Sequence, residues 1–431
     1  AWGTNLLRSA GQLFARGGAN SGDGGFIETS SLGLLDVRTT PDVSAVNGAG
    51  GLWLLDPANI RIVAGNGLIN IDNTPGTPAI PEIIIPGTPE IPPTTGPGGE
   101  IIPGIPGTPD VIIPGIPATP SIFSSGAAPP DSILGVDLIT DALTGGANVE
   151  IRTTGNTPGD GDITLETFLG ANNTGNGSLS LIADGAINLL DTIQFPELSN
   201  LTLTANENIT SNSGISLTGD GSGTIGNLFL TSDTGDINLT SNFITIGGTV
   251  SINADGDITG PNNLFVSGDV SVISNQGVVN LGTVFISDIN GSEGDGSVDV
   301  IANGDVAVRN RLLTGGGDIS LTSKNGSILV SDLLESSSLN SNSTTNEAGD
   351  ILLSAVNGDV VFNVISTADV NGIDTAGDVT IEAGRNVQGT GTRSFSTTGR
   401  ATISTDAPMA DGAITITHGG GLITPFNVGD A

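Results

Sequence analysis

The tripeptide Gly-Asp-Ile or Gly-Asp-Val, opening a short run in which apolar and polar residues alternate, constrains this chain more than any other feature. It stands at Gly161-Asp162-Ile163, Gly235-Asp236-Ile237, Gly256-Asp257-Ile258, Gly268-Asp269-Val270 and Gly304-Asp305-Val306. It returns at Gly317-Asp318-Ile319, Gly349-Asp350-Ile351, Gly358-Asp359-Val360 and Gly377-Asp378-Val379. Looser copies occur at Gly185-Ala186-Ile187, Gly326-Ser327-Ile328 and Gly412-Ala413-Ile414. Several copies lie about twenty residues apart, the length of one coil of a β-solenoid. Each reads as a turn followed by a strand with its apolar side chains on one face, as in Asp236-Ile237-Asn238-Leu239. One such strand cannot bury that face alone, whereas stacked coils can. The expectation is an all-β stack with Ile, Val or Leu after each turn pointing inward.

Composition agrees and narrows the function classes. The 431 residues include 66 Gly, which suits a chain of many sharp turns. Cysteine is absent, so disulfides and thiolate metal sites are excluded. There are 45 acidic against 11 basic residues, a net charge of −34, and Lys324 is the sole lysine. That balance repels nucleic acid and anionic membrane surfaces. No apolar run is long enough to span a bilayer, so no transmembrane segment is expected. No basic and apolar leader opens the chain, and it starts at Ala1; the expectation is a mature or excised segment.

Three regions follow from the pattern. Residues 1–73 form a first block with apolar segments at 5–14, 24–37 and 51–62. Residues 74–130 break the pattern: 16 of the 23 prolines sit there, in phrases such as Pro75-Gly76-Thr77-Pro78 and Pro106-Gly107-Thr108-Pro109. That density favours polyproline II, while Ile83-Ile84-Ile85 and Val111-Ile112-Ile113 are apolar for a plain spacer. An insertion lying against the solenoid and a disordered linker both remain open. Residues 131–431 carry the coils, with longer loops expected at Ser336–Gly349 and Gly389–Gly399. Helix signals are poor throughout.

Two phrases add a resemblance. Ala15-Arg16-Gly17-Gly18-Ala19-Asn20-Ser21-Gly22-Asp23-Gly24-Gly25-Phe26-Ile27-Glu28-Thr29-Ser30, with Gly51-Leu52-Trp53-Leu54-Leu55-Asp56-Pro57-Ala58-Asn59-Ile60, resembles a signature of filamentous-haemagglutinin-like exoproteins, the passengers of two-partner secretion. The closing Ile414-Thr415-Ile416-Thr417-His418-Gly419-Gly420-Gly421 resembles a phrase near the ends of such repeat regions. The resemblance covers residues 1–63 well and the coils generically. The family's amino-terminal secretion domain, with its Asn-Pro-Asn motifs, is not in this sequence. The resemblance implies a right-handed parallel β-helix with a proline-rich insertion, secreted to the outer surface of a Gram-negative bacterium through an outer-membrane transporter. It also implies a non-enzymatic fibre or adhesin, whose partners are other copies of itself, other surface proteins or cell-surface glycans.

The competing class is a polysaccharide lyase or glycosidase built on the same fold. Lyase chemistry needs a basic residue beside metal-bound carboxylates. Arg309 and Arg311 are the only close basic pair in the coils, and Arg61-Ile62-Val63 is only a fragment of a hydrolase motif. His418, the single histidine, sits in a glycine-rich turn with no serine elbow beside it. The glycines of 17–25 read as a tight turn, since no Gly-Lys-Ser/Thr follows. No catalytic residue is expected, and calcium is the one cofactor worth weighing. Its candidate ligands are paired carboxylates at Asp160 and Asp162, Asp255 and Asp257, and Glu293 and Asp295. Solvated turn carboxylates are the alternative reading of the same residues. Phe229, Phe243, Phe265 and Phe285 are expected in the core rather than on a carbohydrate platform.

Overall fold

A computed structural model describes residues 1–65, 131–155, 161–171, 177–218, 226–286, 296–336, 348–367, 375–395, 399–407 and 410–420, together with the short strands Ile83–Ile85, Thr94–Thr95, Ile101–Ile102 and Val111–Ile113. The chain divides into two compact units, Leu68–Ala128 and the rest. In the smaller unit, Ile83–Ile85 pairs antiparallel with Val111–Ile113, and Thr94–Thr95 with Ile101–Ile102.

The larger unit is a parallel β-solenoid. Its first face is one sheet of 14 strands, running from Trp2–Gly3 to Ile414–His418. Each strand pairs with its counterpart one coil earlier and one coil later, so no barrel closes. A second face includes Ile163–Leu165, Ile187–Leu189, Ile209–Ser211 and Ile237–Leu239. A third includes Leu169–Gly170, Ile193–Gln194, Ile215–Leu217, Phe243–Ile246, Asn263–Val266 and Thr283–Ile286. In later coils Ile328–Glu335 and Val360–Ser366 run through both of these faces.

Coil length is not uniform. On the first face, apart from the coil that carries the smaller unit, it ranges from 20 residues, between Val250 and Val270, to 35, between Val379 and Ile414. The strands change little, so the added length falls in the connections.

The alternation sets the core. Every residue that follows the nine Gly-Asp pairs is at most 1% exposed: Ile163, Ile237, Ile258, Val270, Val306, Ile319, Ile351, Val360 and Val379. Full burial of each such side chain contributes about 1.5–3 kcal/mol, an upper figure because unfolded chains already bury some surface. Outward positions on the first face are largely Ser, Thr and Asn, as in the column Ser180–Thr202 and its neighbour Thr204–Thr231–Asn253.

One α-helix, Val136–Thr144, departs from the expectation of a helix-free chain. Val136, Leu138, Ile139, Ala142 and Leu143 are buried along one side, Asp137 complements the amino-terminal dipole, and Gly145 ends it. It packs beside Leu169–Gly170, the first strand of the third face. The helix lies between the earlier coils, where the Thr40 hydroxyl donates to Leu138 O at 3.4 Å, and Leu169–Gly170.

Candidate functional site

The repeated Gly-Asp acts at the corners. At the corner between the first and second faces, an Asp or Asn side chain accepts the backbone N–H of the equivalent residue one coil on. Asn208 Oδ1 accepts Asp236 N–H at 2.7 Å, Asp236 Oδ1 accepts Asp257 N–H at 2.8 Å, and Asp257 Oδ1 accepts Val278 N–H at 2.9 Å. At the corner between the third and first faces, Asp318, Asp350 and Asp378 repeat the contact to Asp350, Asp378 and Ala413 at 2.7–2.8 Å. One sequence motif thus serves two different corners. Its glycine is required by close approach: a Cβ on Gly358 would stand 1.9 Å from Gly326 O, and one on Gly377 2.2 Å from Gly349 O.

This geometry places the candidate calcium ligands. Asp162 and Asp257 are corner acceptors, Asp162 Oδ1 taking Ala186 N–H at 2.8 Å. Asp255 accepts both contacts from Gln276 Nε2 at 3.2 Å. Asp160, Glu293 and Asp295 lie outside the described residues. Among the described residues, no three His, Cys, Asp or Glu side chains gather in a metal-like group.

Most described cations are engaged. Arg8 and Arg38 both pair with the buried Asp36, Arg16 with Asp42, Arg311 with Asp332, Arg385 with Asp359 and Arg393 with Glu335. Arg309 donates to the carbonyls of Leu281 and Gly260. A polar recess of about 360 Å³ is lined by Asn59, Arg61, Asp131, Asp162, Thr164 and Glu166. Within it Arg61 grips Glu166 through two hydrogen bonds of 2.6 and 2.8 Å. That guanidinium holds the Glu166 carboxyl below the usual carboxylate range and is itself shifted upward by its partner. His418 ends the last described first-face strand and is exposed. The loop of 17–25 is a tight turn: Gly22 has φ +113°, and a Cβ on Gly24 would lie 1.9 Å from Val43 O. Arg16 lies 4.7 Å over the Phe14 ring beside it.

The phenylalanines overturn the expectation of core stacks. Phe195 and Phe362 are internal, but Phe243 is 57% exposed and Phe229 36%. Phe265 and Phe285 stand at outward, partly exposed positions of the third face. Strand parity decides this: Ile244, Leu264 and Val284 take the inward places. Phe243 and Phe265 stack with centroids 6.3 Å apart and planes at 18°, and Phe265 meets Phe285 edge-on at 6.1 Å. Phe285 then packs on Leu313, Leu333 and Val364, an outer apolar cluster that Ala401 also contacts. Ala401 belongs to the antiparallel hairpin of Arg393–Phe395 and Gly399–Ala401. The result is an outward aromatic ladder on a sheet paired on both sides, open at Phe243 and partly covered at Phe285. Its signal in the sequence was the placement of each Phe next to an aliphatic residue of the same strand, which forces the two to opposite sides.

No family model matches the chain, and no curated protein matches it either.

Proposed function

We propose that this chain is a non-enzymatic structural or adhesive segment of a fibre, displayed on the outer surface of a Gram-negative bacterium and exported by two-partner secretion. The observation that supports this best is the outward aromatic ladder held on a continuous parallel stack, a surface suited to binding rather than to bond cleavage. The corner carboxylates support it too, because their hydrogen bonds tie coil to coil. The likeness of residues 15–30 and 51–60 to filamentous-haemagglutinin-like exoproteins supplies the secretion route and the bacterial class. Among the described residues, no helix is long and apolar enough to cross a membrane.

A polysaccharide-cleaving enzyme is the second reading, and the recess at Arg61, Asp131, Asp162 and Glu166 is where it would act. Both readings meet one experiment. The 431-residue protein is incubated with acidic and neutral polysaccharides, scored for new reducing ends or unsaturated sugars, and in parallel tested for attachment to cells and surfaces. Attachment or filament formation without turnover is the expected result. Turnover abolished by Glu166→Gln or Arg61→Ala would establish the enzyme instead.

A further inference from the structure

We propose that the Phe243–Phe265–Phe285 ladder is a binding platform for a neutral polysaccharide chain. This rests on the adhesive reading above and names its ligand class.

The rings come first. Three aromatic side chains from consecutive coils stand outward on one face, 6.3 and 6.1 Å apart. Aromatic rings pack against the C–H faces of pyranose rings, and a row of them on successive coils can meet successive units of an extended glycan. A mobile loop could not hold that spacing. Here each ring is fixed by a strand paired on both sides: Asn263–Val266 bonds to Phe243–Ile246 and to Thr283–Ile286.

The flanking groups come next. Asn242 Oδ1 accepts from Asn262 Nδ2 at 3.1 Å, and Asn263 Nδ2 donates to Asn242 O at 3.0 Å. Thr245 stands beside Phe265 in the register, and Thr283 beside Asn263. Amides and hydroxyls next to aromatic faces suit sugar hydroxyls, which both donate and accept.

Charge then decides between partners. The three strands and the corners leading into them, Ser241-Asn242, Pro261-Asn262 and Leu281-Gly282, contain no charged residue, in a chain of net charge −34. A cationic protein would find no carboxylate on these strands, and the two arginines at their edge are engaged, Arg309 by the carbonyls of Leu281 and Gly260 and Arg311 by Asp332, which leaves an acidic glycan little to pair with. An extended peptide could not add as a strand, because the backbone of these strands is already consumed by the neighbouring coils. A neutral, hydroxyl-rich chain meets every condition.

Affinity electrophoresis of the full protein through gels carrying hydroxyethylcellulose, dextran or soluble starch, with polygalacturonate as the anionic control, tests this. Retardation by at least one neutral glycan and not by polygalacturonate is expected. Phe265→Ala should weaken it about tenfold, the effect of losing one ring contact, and Phe265→Trp should retain it. Circular dichroism and melting temperature check that the variants fold. Should Phe265→Ala misfold, Phe243→Ala, at the most exposed ring, carries the comparison. Retardation by none of the neutral glycans, or equally for all variants, would overturn the proposal. So would loss of self-association in the variants with glycan binding unchanged, which would make the ladder a contact between copies. Attachment to cells that persists without glycan binding would sink this proposal alone; glycan binding without any attachment or assembly would sink the adhesive reading alone.

Discussion

At the residue scale, the corner carboxylates show which of two opposing effects wins. Asp318, Asp350 and Asp378 stack on successive coils, at a spacing of about 4.8 Å. Two such charges in water repel by roughly 1 kcal/mol. A hydrogen bond to a charged acceptor contributes about 1.5–3 kcal/mol, so the attraction prevails at these exposed sites. Asp350→Ala should cost about 1–3 kcal/mol in denaturant unfolding. Asp350→Asn should cost less, because it keeps the acceptor for Asp378 N–H and removes a charge from the column. Equal losses in the two variants would show that the hydrogen bond is not the reason for the aspartate. Two other carboxylates predict opposite responses to pH. Glu166 is held low by Arg61, so its stabilisation is present above the unfolded value and lost as pH falls through the lower, folded one. Both side chains are 30–40% exposed, which limits the effect to at most about 1 kcal/mol. Glu166→Gln should melt lower than the parent at neutral pH and converge with it in acid. Asp56 is pushed up by burial, despite the Thr154 hydroxyl that donates to it at 3.1 Å. A raised carboxyl carries a penalty above its folded pKa that is relieved as pH falls through it. Asp56→Asn should therefore raise the melting temperature at neutral pH, and the gain should shrink in acid.

At the element scale, the small residues before the first corner set how tightly the coils stack. Ala254, Ser274, Ala302 and Ser323 occupy one column of the first face. The serines in it also tie to the turn of the preceding coil, Ser274 Oγ donating to Gly256 O and Ser323 Oγ to Gly304 O at 2.7 Å, and close their own turns by accepting Gly277 N–H and Gly326 N–H at 3.0 Å. A larger side chain there, or a methyl on a corner glycine, would force neighbouring coils apart. Gly358→Ala is expected to be among the most destabilising single changes, exceeding the roughly 1 kcal/mol of an ordinary Gly/Ala difference, because the new Cβ would collide with Gly326 O. Gly11→Ala, where a Cβ meets nothing within 4 Å, is the control and should be near neutral. Chemical denaturation of the two variants side by side measures the contrast.

At the scale of the whole molecule, repulsion among the acids opposes folding. With a net charge of −34, raising ionic strength from low to physiological values should raise the melting temperature, since salt screens exposed like charges beyond about 8 Å. A fall over the same range would mean that the surface ion pairs, such as Arg311 with Asp332, outweigh the repulsion. Stacking also predicts that damage stays local: each coil touches only its neighbours, so a break near Gly358 should leave amide protection in coils around Val250 largely intact. Native-state hydrogen exchange reads this directly.

The stack of coils and its inward Ile, Val and Leu were legible in the sequence because a period-two pattern after each Gly-Asp admits only one side for the apolar groups; that its strands run parallel was implied by the resemblance. The structural role of the 17–25 glycines was legible for a similar reason, since their spacing suits a turn and nothing that binds phosphate follows. What the sequence left open is what depends on neighbours in space. The same Gly-Asp serves two corners, which cannot be told apart until the number of residues in each coil is known. The helix Val136–Thr144 interrupts a β-rich run, and its apolar side is buried against strands brought to it from elsewhere in the chain, among them Leu169–Gly170. The phenylalanines read as core by hydrophobicity alone, yet Ile244, Leu264 and Val284 had already filled the interior. Register in the third dimension, not residue type, put the rings outside and lined them up.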